Sequence, residues 1–277
     1  MDLKDKTVLI TGSTDGVGRV VAEKLGASGA HILVHGRDAV VAAIEAAGGK
    51  AELLVADLSS LAEVRRLAEA VRARTTRLDI LINNAGVGTA GGGAKRQVSA
   101  DGYELRFAVN YLAAFLLTSE LLPLLKASAP ARIVNVASAG QQAIDFDDIM
   151  LTHGYSGVRA YCQSKLAQIL FTVDLAGELK GSGVTVNALH PASYMDTTMV
   201  RQAGVTPWSS VETGADAILN LAASPALKGR SGLYFDGQRE SRADAQAYDE
   251  KARRQLLSLS LDLIERASGP TRNNSHE

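Results

Sequence analysis

Short apolar runs alternate along this chain with longer stretches in which apolar residues recur every three or four positions. Thr7-Val8-Leu9-Ile10, Ala30-His31-Ile32-Leu33-Val34, Glu52-Leu53-Leu54-Val55 and Asp79-Ile80-Leu81-Ile82 have the length and β-branching of buried strands. Arg132-Ile133-Val134-Asn135-Val136, Val184-Thr185-Val186-Asn187-Ala188 and Leu233-Tyr234-Phe235 bring the set to about seven. Between them, Val17, Val20, Val21 and Leu25 mark one helix face, and Leu61, Val64, Leu67, Ala68 and Val71 another. Ser60 opens the second helix with Glu63 three residues on, the spacing of a capping box. Continuously apolar strands alternating with helices predict an α/β fold, a Rossmann-type doubly wound parallel sheet covered on both faces. No repeat or long linker divides the chain, so a single domain is expected over residues 1–266. The polar residues 267–277 are expected to form a frayed tail.

Composition acts mainly by exclusion. The 277 residues suffice for one large core, and 29 basic against 30 acidic side chains offer no electrostatic case for nucleic acid or an anionic membrane. The single cysteine, Cys162, excludes an intrachain disulfide framework and fits a reducing compartment. The charged start Met1-Asp2-Leu3-Lys4-Asp5-Lys6 does not read as a signal peptide. The apolar stretch Phe107 to Ser119, bounded by Arg106 and Glu120, reads as a buried helix too short to span a bilayer. The expectation is a cytoplasmic protein with a small-molecule substrate, no nucleic-acid or membrane partner and no metal site.

The candidate chemistry begins directly after the first strand, with Thr11-Gly12-Ser13-Thr14-Asp15-Gly16-Val17-Gly18 leading into a helix. Gly12 permits a tight turn, Gly16 lets backbone approach a pyrophosphate, and Gly18 allows close helix–strand packing. The helix start then presents free N–H groups and a positive dipole end to phosphate. Further along come Asp57-Leu58 after the third strand, Asn83-Asn84-Ala85-Gly86 at the end of the fourth, and Asn110 in the next helix. Ser138 ends the fifth strand, and Tyr161 and Lys165 lie four apart on one helix face. Taken alone, Asp57 reads equally as a cap or turn residue, and Asn83 and Asn84 as turn formers. Gly91-Gly92-Gly93 is better read as a flexible connection than as a phosphate loop.

This ordered series, with its Gly-x3-Gly-x-Gly spacing, resembles the short-chain dehydrogenase/reductase family from about Lys4 to Phe235. The resemblance implies a nicotinamide dinucleotide held by Gly12, Ser13, Thr14, Gly16, Val17, Gly18, Asp57, Leu58, Asn84, Ala85 and Gly86. Tyr161, Lys165, Pro191 and Thr197 complete that cofactor set. It further implies Tyr161 as proton donor, Lys165 on the nicotinamide ribose, Ser138 on the substrate carbonyl and Asn110 in a water relay. An ammonium four residues from the phenol is expected to lower its pKa from about 10. Many members of the family are dimers or tetramers, but no motif here fixes an interface.

Residues at the end of the second strand bear on NADP against NAD. His35-Gly36-Arg37-Asp38 puts Gly36 where NAD enzymes place an acid for the ribose 2′-hydroxyl, and Arg37 where a guanidinium can pair with a 2′-phosphate. NADP is the expected cofactor, with Asp38 a partial counterweight and NAD the alternative.

Two features point at the substrate. The wide interval between Ser138 and Tyr161, holding Gln141 to Asp148, resembles the retinol-dehydrogenase-like branch of the family, which handles hydrophobic alcohols and carbonyls. Pro191-Ala192 stands where the family has Pro-Gly, and the threonine for the nicotinamide carboxamide falls one place late, as Thr197 or Thr198. The apolar residues of segment 193–210, Tyr194, Met195, Met199, Val205, Pro207 and Trp208, read either as a lid over a hydrophobic substrate or as anchors of the loop to the protein or a neighbouring subunit. Tyr155 reads as a pocket wall or surface residue, Cys162 and His190 as packing, and no motif places His153. The expected function is NADP-dependent interconversion of a carbonyl and an alcohol on a hydrophobic or ring-containing small molecule. A non-redox lyase or cyclase on the same scaffold, or a dinucleotide-sensing regulator, stands beside it.

Overall fold

The computed structural model describes residues 3–36, 40–89 and 95–269. Its strands are β1 (Thr7–Ile10), β2 (His31–His35), β3 (Lys50–Leu54), β4 (Ile80–Asn83), β5 (Ala131–Val136), β6 (Val184–His190), β7 (Tyr234–Asp236) and β8 (Arg239–Ser241). They form one sheet in the order β3-β2-β1-β4-β5-β6-β7-β8, parallel except for the last pair. All four residues of β1 and of β4 are buried, which explains why only Thr7 and Asn83, at their ends, are polar. The third strand begins two residues earlier than the sequence suggests. Val55 lies past its end, 69% exposed, because β3 is the edge strand and Leu54 is its last inward residue.

Helices α1 (Gly16–Ala27), α2 (Val41–Ala46) and α7 (Val211–Ala223) cover one face of the sheet, sharing a core with Val8, Ile10, Ile32 and Val34. The other face carries α3 (Leu61–Arg74), α4 (Ala113–Ala127), α5 (Gly157–Glu178) and α8 (Glu250–Ser268), packed on Leu9, Leu33, Leu81 and Ile133. Ser60 Oγ accepts the backbone N–H of Glu63, so α3 starts where its capping pattern puts it. A short helix α6 (Thr198–Gln202) lies within the candidate lid. The C-terminal helix runs through Ser268, so Ala267 and Ser268 are helical rather than part of a frayed tail. Arg65 Nη2 donates to Ser268 Oγ at 2.7 Å and ties that end to α3.

The apolar segment starting at Phe107 is longer than its charged neighbours imply. A π-helical turn, Phe107–Leu112, continues into α4, giving a 21-residue helix of mean hydropathy 1.5 that by length and composition can cross a membrane. In the fold it is a core helix with most of its apolar window buried, and Tyr111 Oη and Ser260 Oγ, 2.7 Å apart, join it to α8.

Candidate active site

The glycine-rich turn sits at the C-terminal end of β1, where the strand order reverses between β1 and β4, a position where open α/β sheets bind ligands. Gly12 and Gly16 have φ of +64° and +51°, which side-chain-bearing residues rarely adopt. A Cβ on Gly18 would overlap Gly12 O and Asn84 Nδ2, so the start of α1 approaches the turn only because position 18 is bare. Asn84 Nδ2 donates to Thr11 O and Gly12 O at 2.9 and 3.0 Å. The Thr11 hydroxyl receives the N–H groups of Asn84 and Ala85. The Ser13 side chain faces inward, fully buried, donating to Ile10 O and accepting from His35 N. Its backbone N–H is also turned inward, donating to His35 O at 2.9 Å. Asp15 caps the N-terminus of α1 by accepting from Gly16 N at 2.7 Å. A pyrophosphate at this helix end would meet that exposed carboxylate.

His35 is a residue the sequence motifs did not single out. Its Nδ1 accepts the Gly12 N–H at 3.1 Å, while Nε2 lies 3.1 Å from Ala56 O. A carbonyl only accepts, so the proton sits on Nε2 and the ring is neutral. Burial pushes the imidazole below its ordinary pKa, against a smaller upward pull from the Ala56 carbonyl. The available clue was a histidine ending an apolar strand opposite a glycine turn. Beside it, a Cβ on Gly36 would overlap the Thr14 side chain, so the site leaves no room for an acid there. Arg37 and Gly91 to Gly93 lie outside the described residues. Asp57 is exposed and accepts from Ser59 N at 2.9 Å in a local turn, and Leu58 is buried beneath it.

At the other end of the cleft, β5 delivers Ser138 and α5 delivers Tyr161 and Lys165. Ser138 Oγ accepts from Gly140 N at 3.0 Å, and both it and the edge of the Tyr161 ring lie against Gly140. The Ser138 carbonyl receives Gln141 Nε2 and Tyr234 Oη at 3.0 and 3.1 Å. Lys165 Nζ lies 5.9 Å from the centre of the Tyr161 ring, donating to Val136 O at 2.8 Å and Gln168 Oε1 at 3.0 Å. Asn110 is fully buried in the π-helical turn. Its Oδ1 accepts from Val87 N at 2.6 Å and its Nδ2 donates to Val87 O and Ser164 Oγ. Its side chain is therefore engaged. The π-helical turn that carries it is a distortion frequent at functional sites.

The expected lowering of the Tyr161 pKa is not what this geometry produces. Burial pushes the phenol up, the neighbouring Ser138 side chain pulls it part of the way back, and Cys162 adds to the rise. Burial also lowers Lys165 to about 7, so much of the ammonium charge that was to act on the phenol is absent near neutrality.

Residues 193–210 reach the glycine turn and the loop after β4. Thr197 caps α6, and its methyl would lie 3.2 Å from a Cβ on Gly16, which sets this segment against the glycine turn. Met199 packs on Gly88. Tyr194 and Trp208 stack edge-on with ring centres 5.1 Å apart, and Trp208 is 73% exposed. Pro191 is buried at the lid's root, and His190 Nε2 lies 3.0 Å from Ser193 Oγ. The segment after Ser138 is fastened to the C-terminal region, since Gln246 exchanges hydrogen bonds with both the N–H and the carbonyl of Ile144. Tyr155, read as a pocket wall or surface residue, instead turns its hydroxyl inward to Glu104 and Arg106. A separate cleft of about 810 Å³ opens at the opposite edge of the sheet, where β4, β5 and β6 begin, and none of the candidate residues lines it.

Residues 6–207 match the family model described as short chain dehydrogenase. Human retinol dehydrogenase 13 is 39% identical over 94% of this chain and 84% of the relative. Human retinol dehydrogenase 14 is 38% identical over 92% and 85%. Among solved structures, the Pseudomonas aeruginosa RhlG/NADP complex superposes with a TM-score of 0.68 at 31% identity, covering 85% of this chain and 96% of that one.

A cytoplasmic location does not stand. Its premise was that no segment is long enough to span a bilayer, and the helix Phe107–Ala127 passes that test by length and composition. The chain belongs to the short-chain dehydrogenase/reductase family, within its retinol-dehydrogenase-like branch, and is an NAD(P)-dependent dehydrogenase/reductase.

Proposed function

We propose that this protein uses NADP(H) to interconvert a carbonyl and an alcohol on a hydrophobic small molecule, with retinoids the first substrates to try. The observation carrying the reading is that Ser138, Tyr161 and Lys165 come together beyond β5, at the C-terminal sheet edge that also holds the glycine turn. The turn fits a dinucleotide: two glycines hold positive φ, a third leaves no room for a Cβ, and His35 and Asn84 fix its backbone. Gly12, Gly16 and Gly18 with the start of α1 would hold the pyrophosphate, Leu58 and Asp57 the adenine, and Lys165 the nicotinamide ribose. Thr197 lies close enough to Gly16 to close over the phosphates. When bound, the nicotinamide supplies or accepts the hydride.

The remaining work falls to the chain. Ser138 and Tyr161 form a paired donor set for a carbonyl oxygen, and Tyr161, held protonated by burial, gives its proton as the oxygen gains charge. The raised phenol suits the acid role, and Lys165 lowers it only when its own charge is restored beside a bound polyanion. Tyr194, Met199 and Trp208 on the lid offer apolar surface to a hydrophobic substrate and exclude water as it closes. Preference for NADP rests on the bare Gly36 and on Arg37. The substrate reading rests on the lid and on the relatives named for retinol. The test is a panel of carbonyls including all-trans-retinal, followed by absorbance of reduced cofactor with NADPH and NADH in parallel. Turnover with NADPH supports the reading. A silent panel with a demonstrably bound dinucleotide contradicts it.

A further inference from the structure

The loop 86–89 lies between Lys165 and the lid, and a buried charged cluster holds it from behind. We propose that Arg106 is a positioning residue that fixes this loop for the nicotinamide half of the dinucleotide, with Glu104 and Tyr155 aiming its guanidinium. The inference deepens the proposed function and rests on it.

Arg106 and Glu104 are each only 1% exposed. A buried guanidinium is costly unless its donors are matched. Here Nε donates to Gly88 O at 2.8 Å, Nη2 to Thr89 O at 3.0 Å, and Nη1 to Tyr155 Oη at 2.6 Å, with Glu104 Oε1 at 3.5 Å. Tyr155 Oη in turn donates to Glu104 Oε1 at 2.9 Å, and Glu104 Oε2 accepts the N–H of Phe107 at the start of the π-turn. Burial and Glu104 push Tyr155 up to about 12, so its hydroxyl keeps the proton that this bond needs.

The front of the same loop faces the chemistry. Asn110 holds both the N–H and the carbonyl of Val87. A Cβ on Gly86 would lie 3.2 Å from Asn110 Oδ1 and 3.4 Å from Lys165 Nζ, and one on Gly88 would lie 2.7 Å from Met199 of the lid. Arg106 therefore sets where the backbone of residues 88 and 89 stands relative to Lys165 and Met199. Tyr155 links the same cluster to the start of α5, the helix that carries Tyr161. Two parallel donors onto consecutive carbonyls require a planar fork, which lysine lacks.

Arg106→Lys keeps a charge beside Glu104 but cannot reach both carbonyls, and Tyr155→Phe removes a single hydroxyl should the first variant fold poorly. Each is titrated with NADPH and with 2′,5′-ADP, which lacks the nicotinamide half, and assayed for turnover of all-trans-retinal. In both variants NADPH affinity is expected to fall, by about tenfold in Arg106→Lys and less in Tyr155→Phe. The 2′,5′-ADP affinity stays at the parent value and kcat drops. Parental NADPH affinity and turnover in both folded variants would overturn the inference. So would an equal loss for NADPH and 2′,5′-ADP, which marks a cluster that only stabilises the fold. A parent protein that binds no NADPH would overturn the underlying reading along with the inference, and that control separates the two failures.

Discussion

Lys165 stands 5.9 Å from the centre of the Tyr161 ring, yet its Nζ donates to the Val136 carbonyl and Gln168 Oε1. The two residues share a helix face, as their spacing requires, but the lysine is tethered to the end of β5. Its pKa of about 7 makes its charge sensitive to whatever occupies the cleft. Bound phosphates and a polarised substrate oxygen favour the charged form. Replacing Lys165 by Ala is therefore expected to lower both turnover and dinucleotide affinity, checked by kinetics and calorimetry on one preparation. Unchanged cofactor affinity would mean that the lysine does not reach the dinucleotide.

His35 gives a pH dependence. Its folded pKa is depressed by burial, so between that value and the ordinary value of about 6.5 the unfolded chain binds more protons. The stability it contributes is present above about 6.5 and is lost as pH falls through the depressed folded value. Protonation also removes the acceptor for the Gly12 N–H, so dinucleotide affinity should fall over the same range. His35→Leu is expected to cost about 1–3 kcal/mol by leaving a buried N–H unmet, and to flatten the acid limb of denaturation midpoint against pH. An acid limb identical in the variant would assign it to other groups.

Gly18 tests the packing of α1 on the turn. A Cβ there collides with the Gly12 carbonyl and the Asn84 amide, neither of which can yield without losing the clasp between them. Gly18→Ala should destabilise the protein by roughly 1–3 kcal/mol, as overpacking does, and weaken NADPH binding. Chemical denaturation and a fluorescence titration read the two effects separately.

Cofactor preference can be probed at Gly36. Because a side chain there meets Thr14, Gly36→Asp alone should weaken both dinucleotides, whereas Gly36→Asp with Thr14→Gly should move preference toward NADH. Arg37→Ala should weaken NADPH selectively, by about 1.5–3 kcal/mol if a charged hydrogen bond is lost. Titrations with both cofactors decide; equal affinities in the parent would remove the basis for NADP preference.

The parallel strands were legible because β1 and β4 are buried on both faces and so carry no polar break. β8 was not, since Arg239-Glu240-Ser241 is a polar edge strand held by pairing with β7 rather than by an apolar pattern. The glycine turn stood out because it directly follows β1 and leads into α1, and Tyr161 and Lys165 because a spacing of four puts them on one helix face; the roles given to them and to Ser138 came from the resemblance. His35, Glu104, Arg106 and Tyr155 could not be read this way. Arg106 stands where an apolar run begins and reads as its solvent-facing boundary, and only the fold shows that its charge is met at residues 88, 89, 104 and 155. The pKa of Tyr161 escaped for a related reason. Spacing reports that a lysine is near, whereas burial, which sets the sign, depends on elements far away in the chain.

The most direct measurement is turnover by Tyr161→Phe on a carbonyl that the parent reduces, with NADPH binding confirmed in the same preparation. The ring stays, so fold and cofactor affinity should remain near parental. The lost hydroxyl should lower kcat by at least the roughly 10²–10⁴-fold typical of a missing general acid. Full activity in a folded, NADPH-bound Tyr161→Phe would mean that the proton comes from another group and that Tyr161 is not the donor.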